Sequence, residues 1–402
     1  MPAQTEQRIA ENHYELYALH ALLNGGEVHE KGGLRWINAG PAHHGQIMFP
    51  TMEDDAASAL LDEMMESYRR QPADGIGCWS LLPAPEHLGA RLLARGFQPG
   101  WQPCWMSMAL DKALPGFSFP EGLSIEADNT TDIEPLTDLP YSGGSTKITP
   151  ALIKAYPQKA QRFLARMHGE IVGQSALFFS DVAGIYNVGV LQAFRGRGLG
   201  KALTAAACQY AREQGYTLAT LNASDMGQPI YEQMGFKKLG NGMTWWMNGM
   251  REVSPQESAF AEAVACGHLE RLGHLPHGNL DQPIANGMSL IALAAYCHQP
   301  DAAEWLVHHG AAYTALDAWD LGWIERAADM LTHNPQEVNR LYGEFRYTLL
   351  HIAAQRNDVG LARLAIQFHP DLTIRDRFHD STAAGWANFF KRREIAGIIT
   401  QS

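Results

Sequence analysis

Eight consecutive residues, Phe194-Arg195-Gly196-Arg197-Gly198-Leu199-Gly200-Lys201, interleave three glycines with three cations. Glycines let successive backbone N–H groups converge on one anion with no side chain in the way. The apolar run Ile185 to Val190 before this turn reads as a strand. Beyond it, Leu203, Ala206, Ala207, Tyr210 and Ala211 recur at three- and four-residue spacing, which predicts a helix ending near Gly215. The positive end of that helix dipole would add to the amides, so the pattern suits a diphosphate held by main chain rather than by a broad basic patch. A purely structural tight turn has the same composition and is the plain alternative.

Two nucleotide motifs are tested and set aside. A Walker turn ends in Gly-Lys-Ser/Thr, whereas Gly200-Lys201 is followed by Ala202. A Rossmann fingerprint needs an acid at the tip of the next strand, and the next strand here ends at Asn222. A third pattern fits. Arg195-x-x-Gly198-x-Gly200, then Asn222-Ala223-Ser224 after the following strand, then Tyr231-x-x-x-Gly235-Phe236 stand in the order found in GNAT-family N-acetyltransferases, which residues 121–250 resemble. The resemblance implies acetyl-CoA as cofactor. It implies that Val188, Val190, Arg195, Gly196, Arg197, Gly198, Leu199, Gly200, Lys201, Asn222, Ser224 and Tyr231 hold it.

Acetyl transfer to an amine needs a neutral amine, a polarised thioester carbonyl and a proton for the departing thiolate. An alkyl amine of pKa about 10.4 is neutral at pH 7 in on the order of one molecule in a thousand. Val190 is the candidate amide for the thioester oxygen, where negative charge develops. The resemblance places Tyr231 beside the sulfur as a hydroxyl donor; packing on its own helix is the alternative. Many relatives carry a glutamate on the strand before the turn, but Ile185-Tyr186-Asn187-Val188-Gly189-Val190 has no carboxylate. Asp225 and Glu232 read as surface or capping groups, a water chain is an equal alternative, and Asn187 is the candidate to orient water or substrate.

The elements that must carry these residues alternate between strand and helix. Leu123 to Ala127, Gln161 to Met167, Ile171 to Phe179 and Leu218 to Asn222 read as strands, and Pro229 to Met234 as a short helix. Strand-like segments follow at Phe236 to Leu239 and Met243 to Met247. Residues 13–112 repeat a shortened form of this rhythm: Leu34 to Ala39, Gln46 to Phe49 and Cys78 to Leu82 as strands, Asp54 to Arg70 and Glu86 to Arg95 as helices. Gly96-Phe97 closes that segment as Gly235-Phe236 closes the later one, yet no glycine-rich turn follows any of its strands. It is similar to the degenerate first half of tandem GNAT proteins, joined to the second by the linker Leu114 to Pro120.

From Ser254 onward the pattern is helical and repetitive. Ala-Ala pairs at 294–295, 327–328 and 353–354 recur after 33 and 26 residues, and Thr382 lies 34 beyond Thr348. Thr348-Leu349-Leu350-His351-Ile352-Ala353 resembles the ankyrin-repeat signature, which implies about four units, one of them shortened between residues 321 and 346. His351 would then bond backbone of the neighbouring unit. The fold expected is an α/β mixed sheet in two tandem GNAT-like halves, residues 1–118 and 119–252, followed by an all-α ankyrin array, residues 253–402. Trp79, Trp101, Trp105 and Trp245-Trp246 are expected in the core or lining a surface between halves. His43-His44 read as loop residues rather than metal ligands.

Composition narrows the partners. With 31 Lys+Arg against 43 Asp+Glu the formal charge is −12, which disfavours nucleic acid and anionic membrane. Residues 1–252 carry 20 basic and 26 acidic side chains and residues 253–402 carry 11 and 17, so neither part is a charged tail. Five separated cysteines and the lack of a leader-like start or an apolar run of membrane length suggest a reducing, cytoplasmic setting. The expected acceptor is a small-molecule amine, such as a toxic or antibiotic compound. A protein acetyltransferase whose repeats select its target, and a non-catalytic acetyl-CoA scaffold, are the rivals. The array would bind a protein, cover the active site or join two protomers.

Overall fold

A computed structural model describes residues 2–40, 43–81, 84–111, 120–143, 146–248 and 254–401. It divides into two compact units: residues 1–89 with 98–250, and residues 90–97 with 251–402. The expected linker lies, apart from Pro120, outside the described residues, as do the expected boundaries at 118 and 252.

In chain order the first part of the molecule contains α1 (Pro2–Leu23), β1 (Glu27–Lys31), β2 (Leu34–Asn38), β3 (Gly45–Met48), α2 (Asp54–Arg70), β4 (Gly75–Leu81), α3 (Leu88–Ala94), β5 (Gln98–Pro99) and β6 (Cys104–Ala109). Then follow β7 (Leu123–Ala127), α4 (Pro150–Ala155), β8 (Ala160–Met167), β9 (Glu170–Phe179), β10 (Ala183–Val190), α5 (Leu199–Glu213), β11 (Leu218–Ala223), α6 (Gln228–Met234) and β12 (Lys237–Asn248). The strands form one mixed sheet in the order β1-β2-β3-β4-β12-β6-β11-β10-β9-β8-β7, with β5 beside β12.

Two differences from the sequence reading matter here. The two segments expected around 236–239 and 243–247 are one twelve-residue strand, β12. Its first part pairs with β6 and its second part with β4, so a strand of the later segment lies between two strands of the earlier one. In return, β6 leaves the earlier segment to pair along its whole length with β11. Secondly, α1 has no counterpart in the reading, because its buried face mixes Ile9 and Leu16 with Asn12, His13 and His20 and so lacks a clean apolar stripe.

The sheet alternates its side chains between two covers. Leu177, Phe179 and Ile185 join Leu199, Leu203 and Ala207 of α5 in one core. Ala176 and Phe178 face the other way, with Leu16 of α1 and Leu152 of α4. Asn12 pins α1 there by donating to the carbonyls of Phe178 at 3.1 Å and Val182 at 3.2 Å, while accepting from the Tyr186 hydroxyl at 2.7 Å.

Among the described residues the second unit holds five helix–turn–helix pairs, rather than four units with a shortened one. These are α7 (Pro255–Ala265) and α8 (Leu269–His274), α9 (Leu290–Tyr296) and α10 (Pro300–His308), α11 (Ala315–Asp320) and α12 (Ile324–His333), α13 (Leu349–Arg356) and α14 (Val359–Ile366), and α15 (Ala383–Phe389) and α16 (Arg393–Thr400). His351 spans two of them: one ring nitrogen lies 2.8 Å from the Thr348 hydroxyl and the other 3.0 Å from the Ser381 carbonyl. Residues 90–97 enter this unit through Arg95, whose guanidinium donates to buried Glu262 at 2.7 Å. Among the described residues no helix is long and apolar enough to cross a membrane, and none of the five cysteines is in a disulfide.

Candidate active site

The site begins where two parallel strands part. β10 and β11 pair only at Ala183–Ala219 and Gly184–Thr220. Beyond these, β10 runs on to Val190 and β11 to Ala223 without a shared ladder, leaving a wedge between them. On its other edge β10 stays paired with β9, with an irregularity between Tyr186 and Gly189. Asn187 sits in that bulge with φ of +55°, a left-handed conformation Asn tolerates better than most residues.

The bulge sets the direction of the next amides. Leu191 N–H donates to the Val172 carbonyl at 2.9 Å, so the alternation of an antiparallel ladder turns the N–H of Val190 the other way, toward the wedge. The Val190 carbonyl accepts from Arg195 Nε at 3.2 Å, which draws the glycine turn back against the strand end. Arg197 lies over the Phe194 ring at 5.2 Å.

Gly198 is the N-cap of α5, at φ of +81°, with no side-chain cap and no acidic residue in the first helical turn. Gly196 also has positive φ, at +76°. A Cβ built on Gly196, Gly198 or Gly200 meets no protein atom within 4 Å, so these three residues border open space. The first N–H groups of an α-helix have no partner within the helix. At α5 they face a glycine-bordered opening, which fits an anion of diphosphate size.

Tyr231, on α6, is half-buried and packs edge-on against Phe236 at 5.9 Å. Thr204, on α5, lies near its hydroxyl and donates to the Gly200 carbonyl at 2.9 Å. The phenol thereby stands beside the first turns of α5. Burial pushes its pKa up to about 12, against a smaller opposing effect of Thr204. At neutral pH it is therefore a hydrogen-bond donor.

The remaining candidates are placed as follows. Val188 lies in the bulge and Lys201 in the first turn of α5. Asn222 is half-buried near the end of β11. Ser224 caps the turn into α6, its hydroxyl accepting from Gly227 N–H at 3.3 Å. The Asn187 amide donates to the Thr146 hydroxyl and so is engaged by the loop before α4. Asp225 and Glu232 are exposed, and Glu232 accepts from Gln228 at 2.7 Å. Trp79, Trp105 and Trp245 are buried, whereas Trp101 is 43% exposed. Among the described residues no group of three His, Cys, Asp or Glu side chains is placed to hold a metal ion.

Several neighbours of the site carry no mark in the sequence. Gln174, buried beneath the bulge, donates to the Pro140 carbonyl at 2.7 Å and ties the 139–141 loop across it. Gly189 permits the crossing, since a Cβ there would come 2.8 Å from that carbonyl oxygen. A glycine two residues after an Asn in an apolar strand is the one available hint of a bulge.

Comparison with known proteins identifies the domain. Residues 146–253 match the sequence profile described as "Acetyltransferase (GNAT) domain". This match supports a GNAT acetyltransferase domain over these residues. N-acetyltransferase 8B of Rattus norvegicus is 37% identical over 75 residues, which cover 17% of this chain and 34% of that protein. Glucosamine 6-phosphate N-acetyltransferase of Trypanosoma brucei brucei is 35% identical over 77 residues, covering 17% of this chain and 52% of that protein. The chain thus spans between a third and about half of the length of these relatives. Among solved structures, a GCN5-related N-acetyltransferase from Kribbella flavida has a TM-score of 0.49 at 19% identity, covering 61% of this chain and 96% of its own.

Proposed function

We propose that this chain is an acetyl-CoA-dependent N-acetyltransferase acting on an amine of a small molecule. The carrying observation is the wedge between β10 and β11, opening directly onto the glycine-capped start of α5. In this reading residues 1–118 and 119–252 are two GNAT-like halves, the second alone holding cofactor, and residues 253–402 are ankyrin repeats that bind a protein partner.

The amides of residues 198–201 would hold the diphosphate, with Arg195, Arg197 and Lys201 around it, while Val188, Val190, Asn222 and Ser224 flank the rest of the cofactor. Acetyl-CoA supplies an acyl thioester when bound. Val190 N–H would donate to the thioester carbonyl oxygen, stabilising negative charge there. Tyr231 O–H would donate to the thioester sulfur. A thiol titrates near about 8.5, so a phenol at about 12 keeps its proton and stabilises the thiolate as a hydrogen-bond donor. With no carboxylate on β10, the proton lost by the amine passes to water.

The experiment is a thiol-release assay with purified protein, acetyl-CoA and a panel of small amines and peptides. Release with small amines supports this function. Release with peptides alone favours a protein acetyltransferase, and cofactor binding without release favours a non-catalytic scaffold.

A further inference from the structure

Two neighbouring loops of the second unit each carry a phenylalanine beside an arginine. Before α13 the chain doubles back through the Tyr342–Tyr347 bridge, and Phe345-Arg346 lie within that loop; before α15 it doubles back through the Arg375–Thr382 bridge, and Arg377-Phe378 lie within the second. Arg377 N–H donates to the Phe345 carbonyl at 2.8 Å. That carbonyl belongs to the peptide linking Phe345 to Arg346, so all four side chains leave the backbone within one residue of a single hydrogen bond. The two phenylalanine rings meet edge-on at 5.3 Å.

Both rings are exposed where a folded chain ordinarily hides them, Phe345 by 37% and Phe378 by 68%. The second loop is nevertheless well fixed. Buried Asp376 accepts from the N–H groups of Phe378 at 2.9 Å, His379 at 2.7 Å and Ser381 at 3.1 Å, and from Trp386 Nε1 at 2.9 Å. Four donors on one carboxylate set the path of this loop, so covering Phe378 costs little further ordering. Charge indicates what covers it. Residues 253–402 carry 11 basic and 17 acidic side chains, yet here the balance reverses. Arg375 pairs with Asp380 at 3.7 Å, and Asp376 is buried under its donors. That leaves Arg346 and Arg377, both exposed and without an ion pair among the described residues, against Glu344 alone. A guanidinium takes a carboxylate through paired N–H donors, and aromatic residues with arginine are enriched where proteins meet.

We propose that these two loops form a docking surface for an acidic segment of a partner protein, which seats an apolar side chain on the Phe345–Phe378 pair and carboxylates on Arg346 and Arg377. This rests on the partner-binding reading of the repeats given above and specifies the partner's chemistry. The acidic remainder of the unit repels such a segment, which confines it to this spot.

The test probes the intact chain with an array of synthetic peptides that cross acidic, basic and uncharged backgrounds with Leu, Phe or Ser at alternate positions. Acidic peptides carrying Leu or Phe are expected to bind at least about tenfold more tightly than their basic or serine counterparts. Phe378→Ser is expected to weaken them about tenfold with the melting midpoint unchanged, since that ring lies largely in solvent. The double variant Arg346→Glu, Arg377→Glu is expected to turn the preference toward basic peptides, an outcome that misfolding does not produce. Equal binding of acidic and basic peptides, or a preference that neither variant moves, overturns the inference. So does sedimentation that shows a dimer lost in Phe378→Ser, which assigns the surface to a second copy of the chain. A partner protein held equally by the wild type and both variants overturns the inference while sparing the partner-binding reading; no peptide bound and no protein held overturns both.

Discussion

Among the described residues the sheet contains two places where a helix joins a parallel strand pair, and the two differ in what they present to an anion. In the later segment, β10 and β11 share two register positions and then part, and α5 starts at a bare glycine. In the earlier segment, β3 and β4 pair from Gly45–Ile76 through Met48–Trp79, and Phe49 N–H extends the ladder to the Trp79 carbonyl at 2.8 Å. The helix after it, α2, has Glu53 at its N-cap and Asp54 and Asp55 in its first turn. Those carboxylates favour the helix through its dipole and oppose any incoming phosphate. The same local topology is thus closed and acid-capped in one place, open and glycine-capped in the other. In the proposed reading, what distinguishes the cofactor site is the missing ladder and the missing acid, more than the strand–turn–helix itself.

The strongest way to break this contrast is to give α5 the character of α2. Gly198→Asp is expected to weaken coenzyme A binding at least about a hundredfold, roughly 2.7 kcal/mol, by calorimetric titration. Asp tolerates left-handed backbone, so the thermal midpoint should move little. The converse change, Glu53, Asp54 and Asp55 to Gly, Asn and Asn, should create no second site, because the β3–β4 ladder remains closed.

Next in size is Tyr231→Phe, expected to lower kcat about tenfold to a hundredfold with the coenzyme A Kd unchanged, since it deletes one hydrogen bond to a developing charge. Unchanged turnover would remove Tyr231 from the chemistry. Its raised pKa also has a pH consequence. The working form is the protonated phenol, which persists as pH rises until it passes through about 12. Over pH 6 to 10 the rate of the wild-type enzyme should therefore climb as the amine deprotonates, with no descending limb from Tyr231.

Gly189→Ala tests the acceptor side of the wedge. The added carbon would sit 2.8 Å from the Pro140 carbonyl oxygen and 2.9 Å from its ring, so the 139–141 loop must move. A stability loss of about 1–3 kcal/mol is expected in denaturant titration, with KM for the amine raised more than the coenzyme A Kd. The smallest effect belongs to Asn187. Asn187→Gly loses only the bond to Thr146, whereas Asn187→Ala also places an alanine at φ of +55°. The alanine variant should be the less stable of the two by about 1 kcal/mol, read from paired melting curves.

How much of this was legible in the sequence follows from how local each signal is. The glycine turn, the stripe of α5 and the Asp54–Arg70 helix are written in neighbouring residues, and they stand where the spacing predicts. The matched profile over residues 146–253 supports the same turn-bearing domain. By contrast, the exchange of β6 and β12 depends on pairing between residues more than 100 positions apart, which periodicity cannot register. The support of the bulge is more hidden still. Thr146 looks like any loop threonine until the Asn187 amide that it accepts is known. In the sequence Asn187 stands out only for its chemistry, while the structure gives it a conformation and a loop to hold.

Calorimetric titration of the intact chain with coenzyme A tests the asymmetry between the two strand–helix junctions most directly. One binding event per chain, weakened at least about a hundredfold by Gly198→Asp, is the predicted result. Two equivalent sites, or no heat at all, would contradict it.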